Sequence, residues 1–280
     1  MNKEKELKAI EIYKSGKSLK QTGEIIGETK ESVRWVMKKH GVDTKRTLAD
    51  YDNRKYSLND FYFSKIDTEF KAYMVGFIMA DGYVSQDKNT LTICIHKKDV
   101  VLLQRFLQDI ESDSHVFKHN KDYVRIVLCS RQIVSDLVSL GIVQCKTKVL
   151  KCPNIETELM RHLIRGYFDG DGSIWYDKNS SSYRVQFIGT KDVMETFQIF
   201  FNNYNKLRKT SSENIIFRYG FSGNVKTTKY LSLLYDGATI YLERKYEKFK
   251  DCKKLKEYNE EHKEQIWISN LGSYIRKNIE

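Results

Sequence analysis

The feature that most constrains this chain is a duplication. The segment EFKAYMVGFIMADGYVS leads into the alternating run TLTICIH and then KKDVVLLQRFLQDI; about 90 residues later the same order returns as ELMRHLIRGYFDGDGSIW, SYRVQFIG and TKDVMETFQIFFNNY. Behind them YVRIVLCS corresponds to NIIFRYGFS, RQIVSDLVSLGI to VKTTKYLSLLYDG, and CKTKVL to ERKYEKF. The offset between equivalent positions grows slowly, 90 from Gly82 to Gly172, 93 from Asp99 to Asp192 and 99 from Lys146 to Lys245. Within each copy, helical and alternating periodicities succeed one another in the order α-β-β-α-β-β-α. The expectation is an α+β protein built from two pseudo-symmetric repeats.

The duplication pairs two acids. VGFIMADGYVS and RGYFDGDGSIW match Gly76 with Gly166, Ala80 with Gly170, Asp81 with Asp171 and Gly82 with Gly172. Small residues four apart share one helix face and let two helices approach closely. If these helices pack on each other at the pseudo-dyad, Asp81 and Asp171 become neighbours. Two such carboxylates repel, and each stands at the negative end of a helix dipole. Divalent metal ions remove both penalties; oxygen-only ligands point to Mg²⁺ rather than zinc, with Mn²⁺ as a substitute. Paired Mg²⁺ ions stabilise the attacking and leaving oxygens of a phosphodiester displacement. A single Asp-Gly pair reads as a turn. Duplicated with its flanks, it reads as a site.

Composition narrows the partner. The 280 residues carry 48 Lys+Arg against 37 Asp+Glu, a net charge of +11, and nucleic acid is the commonest acidic partner of such a chain. Five cysteines (Cys94, Cys129, Cys145, Cys152 and Cys252) form neither a CxxC pair nor a zinc spacing, which suits reduced thiols. No signal peptide is visible and no apolar run approaches the roughly 20 residues that span a bilayer. A soluble, cytoplasmic protein without a membrane partner is expected.

With a single proline, Pro153, the chain marks its boundaries by changes of pattern. Residues 1–48 hold 12 Lys+Arg against 7 Asp+Glu and read as three short helices. The first places Leu7, Ile10 and Tyr13 at helical spacing and stops at Gly16; the second starts at Ser18, a candidate cap, and ends at Gly27; the third has Val33, Val36 and Met37 inward and ends at Gly41. Three helices with a tight turn between the last two give a helix-turn-helix, whose last helix would present Lys30, Ser32, Arg34 and Lys38 to a DNA groove. Residues 49–66 read as a linker, 67–155 and 156–250 as the repeats. Residues 251–280 read as a basic C-terminal extension, its apolar end (Ile266, Trp267, Ile268, Leu271, Tyr274 and Ile275) suggesting a small packed element.

MVGFIMADG and IRGYFDGDG resemble the two signature helices of the LAGLIDADG homing endonucleases, in their single-chain, two-repeat form. The resemblance covers about residues 67–250. It implies that Asp81 and Asp171, each just before the final glycine, bind the essential metal, helped by the carbonyls of Ala80 and Gly170. The acid two positions earlier, present as Asp169 and replaced by Met79 in the first repeat, is not the catalytic one. The resemblance also implies a basic residue near each scissile phosphate, at Lys146 and Lys245. Such enzymes act on a long double-stranded DNA site, each acid serving one strand, and the two-repeat form is expected to act as a monomer. The strands would carry recognition: Thr92, Cys94 and His96 lie opposite Leu91, Ile93 and Ile95, while Arg125, Arg184, Gln186 and Arg218 stand among apolar neighbours. Arg and Gln make bidentate base contacts.

The resulting expectation is a site-specific, metal-dependent double-strand DNA endonuclease with an accessory helix-turn-helix, of phage or bacterial type and associated with an intron or mobile element. A non-cleaving transcriptional regulator and a maturase that binds intron RNA are the alternatives on the same fold. An intein is disfavoured, because no starting Cys or Ser and no His-Asn junction are present.

Overall fold

In the computed structural model, which describes residues 2–14, 17, 19–42, 44, 55–211 and 215–263, the chain starts with α1 (Lys3–Lys14), α2 (Leu19–Ile26) and α3 (Lys30–Lys39). Gly16 and Ser18 lie outside the described residues. Thr29 caps α3, its hydroxyl oxygen accepting the Ser32 N–H at 3.1 Å. Val33 and Met37 join Ala9, Tyr13 and Ile26 in a core separate from that of the repeats. The inward face of α1 differs from the expected one. Leu7 is 56% exposed, and Glu6, Ala9 and Tyr13 are the buried residues. Glu6 is drawn to the seam by α3: Lys39 Nζ donates to its carboxylate at 2.9 Å and His40 Nε2 lies 2.8 Å away. These partners, His40 first, hold the Glu6 carboxyl below its ordinary value.

The first repeat runs α4 (Glu69–Asp81), β1 (Gly82–Ser85), β2 (Thr90–His96), α5 (Val100–Asp109), β3 (Phe117–Lys118), β4 (Tyr123–Cys129) and α6 (Arg131–Ser139). The second runs α7 (Thr157–Asp171), β5 (Ser173–Asp177), β6 (Ser182–Thr190), α8 (Lys191–Phe201), β7 (Arg208–Lys209), β8 (Ile216–Ser222) and α9 (Asn224–Tyr235). Both have the order α-β-β-α-β-β-α, so the α+β fold with two pseudo-symmetric repeats is the one the duplication implied. After it the copies diverge. The first ends in a 3-10 turn at Lys146–Lys148, the second in the long helix α10 (Glu243–Glu261). The expected boundary at residue 250 falls inside α10, which packs on α9 and β5. The apolar tail from Ile266 onward lies outside the described residues.

Each repeat forms a four-stranded antiparallel sheet, ordered β1-β2-β4-β3 and β5-β6-β8-β7. Alternation decides the faces. Leu91, Ile93, Ile126 and Leu128 are buried on the inner face of the first sheet, as are Val185, Phe187, Tyr219 and Phe221 on that of the second. One hydrophobic core runs through both repeats. At its centre lies α4, with Phe70 and every residue from Ala72 to Met79 buried. A helix apolar all round needs such a position.

The described part of the linker is not a free connector. Tyr62 and Phe63 are buried in the first repeat's core, because the Tyr62 hydroxyl donates to Asp109 and its ring packs edge-on against Phe106. Asn59 N–H donates to the Ile110 carbonyl at 2.9 Å, and Ser64 Oγ donates to Asp136 at 2.7 Å. No helix among the described residues is long and apolar enough to cross a membrane.

Candidate active site

The site grows from the packing of α4 on α7, the most extensive helix contact among the described residues. Gly76 and Gly166 make it possible: a Cβ on either would lie 1.9 Å from a backbone oxygen of the other helix. One turn on, a Cβ on Gly170 would lie 2.4 Å from the Ala80 methyl and 3.4 Å from Asp81 Oδ2. The small-residue pattern thus brings the two helix ends together, with Asp81, Asp171, Ala80 and Gly170 at the junction.

Asp81 and Asp171 both reach solvent, yet protein crowds them from the other sides. Desolvation by that surrounding mass pushes the Asp81 carboxyl up to about 6, with the charge of Asp171 as the second cause. Asp171 is raised as well, again by desolvation. Lys146 and Lys245 oppose the rise at both acids, and Arg244 does so at Asp81. Arg244 was not singled out by the sequence; the alignment of ERKYEKF with CKTKVL puts Cys145 in its place.

The lysines occupy equivalent positions with unequal surroundings. Lys146 Nζ donates to the Gly82 carbonyl and remains half-buried. Lys245 Nζ donates to the Gly172 carbonyl at 2.6 Å, to Asp169 O at 2.7 Å and to Phe168 O, with Gly170 O at 3.4 Å. Only 4% of Lys245 is exposed. Three ammonium protons are thus already matched to carbonyls at the end of α7. Lys245 acts first as a cationic cap on that helix, a favourable place for positive charge. Burial lowers its pKa to about 8.

Asp169 stands apart from the junction. It is wholly buried, accepting the Tyr73 and Tyr235 hydroxyls at 2.8 and 2.6 Å and the Leu242 N–H at 2.8 Å. Met79, its counterpart, is buried among apolar residues. Arg165, which no spacing marked, is also wholly buried. It bonds Glu69 Oε1 at 2.7 Å and the carbonyls of Ile240 and Leu234, both at 2.8 Å, tying α4 to α7 and α9.

The outer sheet faces gather the expected recognition residues. In the first sheet Cys94 pairs with Arg125, Thr92 with Val127 and His96 with Tyr123. In the second, Arg184 and Gln186 alternate outward from β6, and Arg218 projects beside Arg208. Gly82 pairs with Ile93, so Asp81, one residue earlier, stands at the end of the first sheet beside Cys94. Arg184 is held by Asp177 at 2.6 Å. Alternation could also have marked Tyr83 and Trp175, exposed on the strands that leave the two helices. Lys30, Arg34 and Lys38 project from α3 into solvent, while Ser32 is partly covered and bonded by the Thr29 hydroxyl at 3.0 Å.

The donor set suits a hard cation. Among the described residues no cluster of three or more His, Cys, Asp or Glu side chains is placed to hold a metal. The junction instead offers two carboxylates, both pushed towards protonation by their surroundings, with main-chain carbonyls beside them. A divalent cation would take the place of those protons and leave coordination positions for water or phosphate.

Neither a family model nor a curated protein matches the chain by sequence. Solved structures similar to it include LAGLIDADG homing endonucleases. Meganuclease I-SmaMI bound to uncleavable DNA is 15% identical, over 68% of this chain and 92% of that one, with a TM-score of 0.48. LAGLIDADG meganuclease I-CpaMI bound to uncleaved DNA is 15% identical over 69% and 94%, with a TM-score of 0.48. LAGLIDADG homing endonuclease I-GzeII in complex with its DNA target is 13% identical over 70% and 93%, with a TM-score of 0.49.

Proposed function

We propose that this chain is a site-specific double-strand DNA endonuclease of the LAGLIDADG homing type, dependent on a divalent metal. The observation that carries the reading is the junction itself. Two equivalent acids end two helices packed across a pseudo-dyad, each in the field of a lysine, where the outer face of an antiparallel sheet opens. A duplex has the same approximate twofold symmetry, so each acid is available to one strand.

Asp81 and Asp171, with the carbonyls of Ala80 and Gly170, would hold Mg²⁺ or Mn²⁺. Bound there, the metal would supply Lewis-acid polarisation of a phosphoryl oxygen and a water of lowered pKa. The chain's own residues do the rest. Lys146 and Lys245 fix the Gly82 and Gly172 carbonyls, which holds the acids at their helix ends, and their charge opposes the upward shift that burial gives those acids. Arg125, Arg184, Gln186 and Arg218 face the DNA grooves with Thr92 and His96, and Arg184 exchanges Asp177 for a base or phosphate. The three-helix unit acts as a helix-turn-helix that binds flanking DNA through Lys30, Arg34 and Lys38, with Ser32 at the start of the helix. The whole chain works as a monomer on a long site.

The test is selection of cleaved sites from a library of randomised duplexes in Mg²⁺, with EDTA as the control. Duplex cut on both strands only in the presence of metal is the expected result. Selection of bound but uncut DNA in both Mg²⁺ and Mn²⁺ would overturn the nuclease reading in favour of a regulator. Deleting residues 1–48 should weaken binding to the selected site and shorten its footprint; an unchanged footprint would remove the helix-turn-helix role.

A further inference from the structure

We infer that each repeat positions the other repeat's site lysine, through Asp99 for Lys245 and through Asp192 for Lys146.

The two aspartates are equivalent by sequence, 93 residues apart, and both stand where a helix follows the second strand of its repeat. Asp99 Oδ2, in the first repeat, accepts the Nε–H of Arg244 at 3.1 Å, and Arg244 immediately precedes Lys245. Asp192 Oδ2, in the second repeat, accepts the Cys152 N–H at 2.9 Å. Cys152 closes the segment that begins at Lys146. Within it the Leu150 N–H bonds the Lys146 carbonyl at 2.8 Å, and Leu150 itself is buried.

On each side a further bond crosses between repeats. Thr190 Oγ1, two residues before Asp192, donates to the Leu150 carbonyl at 2.6 Å. Arg105 Nη1 of α5 donates to the Thr239 carbonyl at 2.8 Å, while the Thr239 N–H reaches Glu69 Oε1 at 2.8 Å. Each lysine therefore bonds the glycine carbonyl of its own repeat in front and is tied from behind by the opposite repeat. The tie is crossed in both directions, as the pseudo-dyad requires. Asp99 and Asp192 are positioning residues, and loosening one should free one lysine while leaving the other in place.

Lysine accessibility tests this without DNA. The full-length protein and its Asp99→Ala and Asp192→Ala variants are exposed to an acetylating reagent, and Lys146 and Lys245 are quantified by mass spectrometry. Loss of one hydrogen bond should raise modification of the dependent lysine about fivefold. Asp99→Ala should expose Lys245 and spare Lys146; Asp192→Ala should do the reverse. The Asn variants keep an acceptor oxygen and should stay near wild type. If an Ala variant fails to fold, Arg244→Ala and Thr190→Val break a tie from either side and carry the same expectations. A rise in the same-repeat lysine, in both lysines or in neither would overturn the inference.

A second arm rests on the proposed nuclease function. On a selected duplex carrying a different label on each strand, Asp99→Ala should slow one strand and Asp192→Ala the other. Equal slowing of both strands would overturn the crossed arrangement. Crossed labelling in the two variants, together with a wild type that cuts no DNA, would instead sink the nuclease reading and leave this one standing.

Discussion

Tyr73 of the first repeat donates its hydroxyl to the Asp169 carboxylate of the second at 2.8 Å, and neither side chain reaches solvent. Asp169 and Asp171 are two positions apart on α7, so helical geometry turns them to different sides. One is a structural anchor sealed in the core; the other stands open at the helix junction.

Replacing Asp169 by Ala strands two buried hydroxyls and the Leu242 N–H at once. Breaking a buried network in this way costs about 3–5 kcal/mol, measurable as a lower urea midpoint. Asp171→Ala leaves no buried donor unpaired and should leave the midpoint unchanged or raised. Equal losses in the two variants would contradict the division of roles between these acids.

On the proposed function, Asp171→Asn should abolish strand cleavage while leaving affinity for a selected duplex within about threefold, because the side chains proposed for recognition are elsewhere. The wild type should gain thermal stability on addition of Mg²⁺ by mass action. The double variant Asp81→Asn/Asp171→Asn should gain none. A calorimetric or fluorescence melt with and without Mg²⁺ reads this directly, and an identical Mg²⁺ shift in the double variant would place the metal somewhere else.

Gly166→Ala inserts a methyl group 1.9 Å from the Tyr73 carbonyl oxygen, and Gly76→Ala does the same to Leu163. Backbone on both sides cannot give way as a side-chain tip can, so the helices must separate. Each substitution should cost roughly 3 kcal/mol or more, the upper part of the range for overpacking. Because both act on one interface, the double variant should lose less than the sum. A soluble Gly166→Ala protein with an unchanged melting midpoint would show that the close approach of α4 and α7 is not maintained in solution.

The order of elements and the pairing of Asp81 with Asp171 were legible because duplication supplies a second reading of every position. What escaped was set by partners distant in sequence. Arg165 is held by Glu69, Leu234 and Ile240, and Asp169 by Tyr73, Tyr235 and Leu242, so no local spacing announces either. Lys245 was found by its place in the repeat, but its burial depends on how α10 meets the end of α7. The inward turn of Glu6 over Leu7 likewise follows from Lys39 and His40, a whole helix hairpin away. Tyr62 and Phe63 left no mark in the pattern, because a short apolar pair without a period carries no signal of its own.

His162 gives the protein a pH-dependent stability. Its Nδ1 accepts a hydrogen bond from Arg165 Nη1 at 3.0 Å, which requires a neutral ring. Desolvation first, and the Arg165 charge second, lower its pKa from 6.5 to about 4, with Glu69 pulling the other way. Because the folded value lies below the unfolded one, the unfolded chain binds the extra proton in this interval. Stability is therefore fully present above pH 6.5 and declines as pH falls towards 4. The ring keeps some contact with solvent, which screens the effect, so a loss of about 1–2 kcal/mol over this interval is expected. His162→Asn offers Arg165 an amide oxygen that does not titrate. Urea unfolding at stepped pH should show a shallower decline for this variant than for the wild type, and parallel curves would remove His162 from the acid sensitivity of the fold.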